Sequence, residues 1–304
     1  MTLAFSALNE ALNPLNKSKK KNSSPKEQKM VGSERFLIIN SDDFGESQET
    51  IDAILTAFHH GFISSTSAFA GSPIFEKMIE ALKTSSIPCG VHLSFTSGRP
   101  LLDVRKVPSL IDPSTDSFPD EKIQRRRLDK ISPAELYLEF EAQIEAFLKA
   151  GVAPTHLDNH HSTVYLKGEL FHQVLLLGQK YGLPVRMPFD HQMDLKTSLY
   201  AAYFGISTSD VEILTKYHQK TAAMLSVRTT GFYFQVLSSF KKVSDIVQII
   251  RSTPEGVSEL CVHVGGGDPR KEKETTLLCS GEIARAIKEE GVILISYRDL
   301  KSFK

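Results

Sequence analysis

From Glu34 onward, apolar positions follow two alternating periods. Phe36–Asn40 (FLIIN) is a short apolar run of strand character. Ile51, Ile54, Leu55 and Phe58 then recur at i, i+3, i+4 and i+7, the spacing of one face of an amphipathic helix. Ser47 suits its N-cap and Gly61 its C-terminal stop. The same reading predicts strands at Thr66–Ala70, Gly90–Phe95, Pro154–Asp158, Leu183–Met187, Thr230–Phe234, Glu259–His263 and Val292–Ser296. Helices are predicted over Ile74–Leu82, Pro133 to Gly151, Leu170–Tyr181, Val243–Arg251 and Glu282–Glu290. Ser132-Pro133-Ala134-Glu135 reads as a capping box with proline at the first helical position.

Strand–helix alternation predicts a parallel sheet covered by helices. About seven repeats favour an α/β fold closed into a distorted (β/α) barrel over an open sheet. Two stretches exceed ordinary βα connections, about Thr96–Lys130 and about Asp190–Arg228, and are expected to be lids or substrate loops. The chain has no P-loop and no GxGxxG; Gly265-Gly266-Gly267 reads as a flexible turn.

Composition narrows the function. The 304 residues are 41% apolar and 24% charged, ordinary values for a globular chain that buries its core without staples. Lys+Arg and Asp+Glu are both 36, so the basic excess of a duplex-binding protein is missing and nucleic acid is not an expected partner. The charge is unevenly spread: residues 1–32 hold six lysines against two glutamates and read as a disordered basic tail. Residues 33–304 are expected to form one barrel domain. Met1–Leu15 does not read as a secretory signal, because Asn9, Glu10 and Asn13 interrupt it and the lysines follow it. No apolar run approaches the ~20 residues of a membrane span. Cys89, Cys261 and Cys279 are few, odd in number and widely spaced, which fits a reducing, cytoplasmic setting.

Barrel enzymes build their sites at the C-terminal ends of the strands, and the notable polar residues sit there. Asp42-Asp43 follows FLIIN, and His92 lies in GVHLSF. His156, Asp158, His160 and His161 lie in THLDNHH, Arg186 lies in VRMPF, and His263 ends ELCVH. The Asp pair is either a turn motif or a metal ligand beside a base for metal-bound water. His156, Asp158 and His160, at i, i+2 and i+4 of a strand, share one face. Three inward ionisable groups require pairing, a cleft or a metal; a solvated rim at the barrel mouth is the competing reading. One Asp and two His with open positions make a metal site that leaves room for water and substrate. His156-x-Asp158 with a distant histidine also imitates a non-haem iron triad, but that chemistry usually sits on an all-β fold. His59-His60, ending a helix, reads as structural.

LIINSDDFG, ISSTSAFAGSP, GVHLSFTSGRPL, PTHLDNHHS, ELCVH and GVILISYRDL resemble, in order, the YdjC-like carbohydrate deacetylases, which include chito-oligosaccharide deacetylases. The resemblance runs from about residue 35 to 300 and is poor over Phe189–Arg228. It implies a distorted barrel that removes acetyl groups from N-acetylated sugars with a divalent metal, Mg²⁺ first, Zn²⁺ or another transition metal as alternatives. It makes Asp43, His92 and His160 the metal ligands, Asp42 the general base, His263 the general acid and Arg186 the residue that orients the base. Asp158 and His161 are assigned to substrate binding. The expected partner is an acetylated oligosaccharide; a homodimer is also implied. Ser162 and Val164 stand where family members commonly carry histidines, and Val264 where a proline is usual. The alternative is therefore a catalytically silent, sugar- or metal-binding member of the same fold. His92→Ala is expected to lose bound metal and turnover together; a variant retaining full metal content and full turnover would remove the triad assignment.

Overall fold

The computed structural model describes residues 34–187, 201–235 and 241–302. The basic tail expected over residues 1–32 lies outside them. Among the described residues seven strands make one parallel sheet: β1 (Arg35–Phe44), β2 (Ser65–Ala68), β3 (Cys89–Leu93), β4 (Leu157–Asn159), β5 (Phe232–Gln235), β6 (Gly256–Val262) and β7 (Ile293–Leu294). Their order is β4-β3-β2-β1-β6-β5, and β7 also pairs with β1. The surrounding helices are α1 (Gln48–His59), α2 (Phe75–Ser85), α3 (Glu121–Arg125), α4 (Pro133–Lys149), α5 (Gly168–Tyr181), α6 (Thr208–Met224), α7 (Val243–Arg251), α8 (Pro269–Leu278) and α9 (Gly281–Glu289).

The strand expected at Leu183–Met187 is reduced to single bridges. Val185 bridges Leu157 of β4 on one side and Thr229, just ahead of β5, on the other. Among the described residues the bonds are Leu157 N–H to Pro184 O, Arg186 N–H to Leu157 O and Val185 N–H to Arg228 O, all 2.9 Å. Pairing therefore comes round from β4 to β5 through a narrow seam at Val185. Pro184, within this segment, has no N–H to donate to a ladder, although its carbonyl accepts from Leu157.

Amphipathic spacing places the helices as expected. α1 buries Thr50, Ile51, Ile54 and Ala57, and Ser47 caps it by accepting from Thr50 N–H at 3.2 Å. α4 buries Leu136, Phe140, Ile144 and Phe147, and Ser132 caps it. The capping box predicted there is half formed: the Glu135 carboxylate accepts instead from Ser109 N–H at 2.7 Å. Helix α6 lies in a stretch read as a connection, and α8 in a stretch to which no element was assigned. The buried face of α6 is Val211, Thr215, His218 and Ala222, so polar residues mask its period. α8 buries only Thr275 and Leu278.

The sheet interior is polar near the strand ends, and fit there is tight. A Cβ at Gly90 of β3 would come within 2.4 Å of the His156 ring. That ring cannot swing away freely: it stacks on Tyr297 at 3.7 Å and bonds Thr155 Oγ1 at 3.0 Å. Gly90→Ala is therefore expected to cost about 1–3 kcal/mol through overpacking, read as a lower denaturation midpoint in urea; an unchanged midpoint would show that the ring relaxes without cost.

Candidate active site

Successive residues on a regular strand face opposite ways, so Asp42 and Asp43 should not share a site. A register shift in β1 solves this. Asn40 and Ser41 pair with Ser65 and Thr66, but Phe44 pairs with Ala68, so one extra residue is accommodated between Ser41 and Phe44. Asp43 takes up the irregularity in the left-handed region, at φ 69°. Such bulges re-aim side chains, and here both carboxylates turn to one centre.

The centre holds three donors. Asp43 Oδ1 lies 3.4 Å from His92 Nε2 and 3.3 Å from His160 Nδ1, and the two nitrogens are 3.2 Å apart. Donors about 2.1 Å from a common ion are about 3.0–3.4 Å apart at octahedral to tetrahedral angles. Asp43 Oδ1 is buried and makes no hydrogen bond. A buried carboxylate oxygen without a donor, facing two imidazole nitrogens, fits a divalent cation. His92 is further prepared for this, because its Nδ1 bonds the Asp158 carboxylate at 2.8 Å. That partner aims Nε2 at the centre and adds ligand basicity. Burial alone would lower the His92 pKa, but Asp158 and Asp42 outweigh it and lift it to about 10, so an arriving cation displaces a proton. His160 opens a 3-10 turn and is followed by His161 and Ser162 at φ 59° and 53°. Two left-handed non-glycine residues in succession store strain next to the ligand.

Asp42 sits beside the triad in different company. Arg186 grips it with two bonds of 2.7 Å, Asn40 Nδ2 donates at 2.9 Å, and the Cys261 thiol donates at 3.3 Å. Burial pushes the Asp42 pKa up, yet the Arg186 guanidinium outweighs it and holds the group below the usual carboxylate range. Arg186 is 1% exposed, and it also contacts Asp158 at 3.0 Å and Glu259 at 2.7 Å. Across this cluster Asp42 and Asp158 favour the charged form. Glu259 favours the neutral form, and Arg186 and His92 the cationic one.

His263 lies 26% exposed at the end of β6, with Nδ1 3.3 Å from Glu274. Glu274 also accepts from His263 N–H at 2.8 Å. Burial lowers the imidazole pKa, but Glu274 and then Asp43 reverse the shift, leaving it raised. His263 and Asp42 each present an atom within 4.8 Å of the other. A cleft of about 170 Å³ opens against His92 and His160, lined also by Phe69, Arg99, Leu101 and Phe118. Several of those residues come from the long stretch expected to be a substrate loop.

Most sequence-predicted residues converge, with differences in detail. Asp158, assigned to substrate, has no exposed surface and bonds His92 Nδ1 at 2.8 Å, with Arg186 3.0 Å away. His156 is equally buried, on Tyr297, and is no part of the triad. His161 lies against His160, with ring centroids 3.7 Å apart and planes tilted by 37°, and bonds Thr96 Oγ1 at 3.0 Å. Ser162 and Val164 are both buried, and neither is among the described residues lining this cleft. Residues the sequence reading missed are Glu259, Lys271 and Glu274. Glu259 was legible: Glu259, Cys261 and His263 alternate on one face of β6. Asp268-Pro269 is a helix start, and Lys271 and Glu274 follow it three apart, on one face.

Comparison with known proteins follows the same lines. The family described as YdjC-like protein matches residues 36–289. A carbohydrate deacetylase of Enterococcus faecalis is 30% identical over 273 residues, 88% of this chain and 99% of the relative. Carbohydrate deacetylase 1 of Listeria innocua is 29% identical, over 87% of this chain and 99% of the relative. A crystal structure from Enterococcus faecalis V583, named for cellobiose-phosphate cleavage, superposes with a TM-score of 0.72 at 28% identity. It covers 88% of this chain and 99% of its own.

The Glu259 carboxyl gives a pH test. Burial raises its pKa from the usual 4.5 to about 7, against the opposing pull of Arg186 and Tyr297. The folded protein thus keeps a proton that the unfolded chain releases. The stability this group contributes is complete below the unfolded value and is lost as pH rises through the folded one. Glu259→Gln does not titrate, so its stability relative to the parent should improve between about pH 4.5 and about pH 7. Guanidinium midpoints of the two proteins across that window check this; a constant gap would refute it.

Proposed function

As the chain belongs to the YdjC-like protein family, we propose that it hydrolyses the acetamide of N-acetylated carbohydrates of the chito-oligosaccharide type. The observation that carries this is the triangle of Asp43 Oδ1, His92 Nε2 and His160 Nδ1, with edges of 3.2–3.4 Å, set beside an arginine-held Asp42. Asp43, His92 and His160 would hold the divalent ion. That ion supplies Lewis acidity, polarising the acetamide carbonyl and making a nearby water more acidic. Two imidazoles and one carboxylate favour Zn²⁺ or a neighbouring transition ion over the Mg²⁺ expected from the resemblance.

This chain's own residues move the protons. Asp42 takes one from the attacking water. Its two-pronged bond to Arg186 keeps it ionised and fixes its direction, which a base needs at neutral pH. His263 gives a proton to the departing nitrogen, since an unprotonated amide nitrogen leaves poorly. Glu274 on Nδ1 fixes the ring and favours the imidazolium form. Asp158 fixes the His92 tautomer. The cleft at Phe69, Arg99, Leu101 and Phe118 takes the sugar, and His161, next to the ligand His160, contributes a further contact to it. No described helix is long and apolar enough to cross a membrane, and all three cysteines are free and buried. The latter supports a cytoplasmic location.

The protein is expected to release acetate from N-acetylated chito-oligosaccharides, to stop when a chelator strips its metal, and to recover with added divalent ion. Asp42→Asn and His263→Ala should each lower kcat by ~10²–10⁴-fold. Metal binding without acetate release over a panel of N- and O-acetylated sugars would replace this reading with the silent binding module.

A further inference from the structure

Lys271 has no place in the reaction just described, yet it is buried against it. It sits in the first turn of α8, with its side chain 12% exposed. Its ammonium bonds Asp43 Oδ2 at 2.8 Å and also reaches Glu46. The stem is accommodated by a glycine: a Cβ at Gly265 would come within 3.0 Å of Lys271 Cδ and 3.2 Å of its Cβ. Gly265, read from sequence as part of a flexible turn, is thus a close-approach position that lets the lysine reach Asp43.

The two oxygens of Asp43 are therefore unlike. Oδ2 is taken by a cation; Oδ1 has no hydrogen bond and faces His92 and His160. We propose that Lys271 is a positioning residue that confines Asp43 to one donor oxygen and weakens the site's hold on its divalent cation. This rests on the reading of Asp43, His92 and His160 as ligands. The physical reason is competition. An ammonium and a divalent ion on one carboxylate repel each other, and little water screens them in a pocket this enclosed. A carboxylate whose charge is shared also donates less to the ion, which stays a stronger Lewis acid.

A merely structural role predicts the opposite sign, because disturbing a scaffold loosens a metal site. Metal-free protein titrated with Zn²⁺ alone, by calorimetry against a competing chelator, separates the two. Lys271→Met should bind at least ~10-fold more tightly than the parent, while Lys271→Arg, which keeps the charge, should stay within about threefold. Glu46→Gln leaves the ammonium to Asp43 alone and should weaken binding by about two- to fivefold; it decides the matter if Lys271→Met fails to fold. A parent protein that binds Zn²⁺, with Lys271→Met equal or weaker, overturns this inference and leaves the ligand triad standing. A parent protein that binds no divalent ion overturns both.

Discussion

One guanidinium organises this molecule. Arg186 is fully enclosed and meets three carboxyl groups, Asp42, Asp158 and Glu259, delivered by three different strands. Removing any one partner from such a cluster leaves charge without solvent, which is far costlier than forming the pair is favourable. The groups are thus interdependent. Asp42 remains ionised because Arg186 is there; Asp158 remains ionised because Arg186 and His92 are there. Glu259 absorbs the excess by favouring its neutral form. A proton-accepting carboxylate and a correctly turned metal-ligand imidazole are both outputs of the same buried balance.

Local backbone strain also falls at this centre, which holds three of the six described non-glycine residues at positive φ. Asp43, His161 and Ser162 all occupy the left-handed region without being glycine. Each such residue costs on the order of 1–3 kcal/mol unless its surroundings impose it. The bulge in β1 has an identifiable return: it brings two neighbouring carboxylates to one centre while giving them separate environments. Asp42 is enclosed by donors, and Asp43 keeps one oxygen open. Identical side chains one residue apart thereby acquire different chemistry.

The alternation of strands and helices was legible because apolar spacing follows the sheet and the outward helix faces. Val243–Arg251 was read with the bounds observed. The donors were legible because they fall at the ends of those strands. What escaped has physical causes. α6 packs through Thr215 and His218, so its buried face is not apolar. The segment Leu183–Met187 has the residues of a strand, but Pro184 within it lacks an N–H, and the described pairing is limited to single bridges at Val185. Asp158 looked like a cleft residue because alternation gives a face but not a depth. It shares an interior face with His160, yet lies a layer below. Glu274 and Lys271 reach the site from a helix, where strand-based reasoning does not look.

Arg186 also marks where the sheet is most narrowly joined. Its own N–H makes one of the few bonds by which Val185 and its neighbours link β4 to β5. Parting this join would expose a buried cation and withdraw the support of Asp42 in one motion, with the longer ladder between β1 and β6 left paired. Inactivation and global melting then become separable events in this fold, with the first governed by a zipper only a residue or two wide.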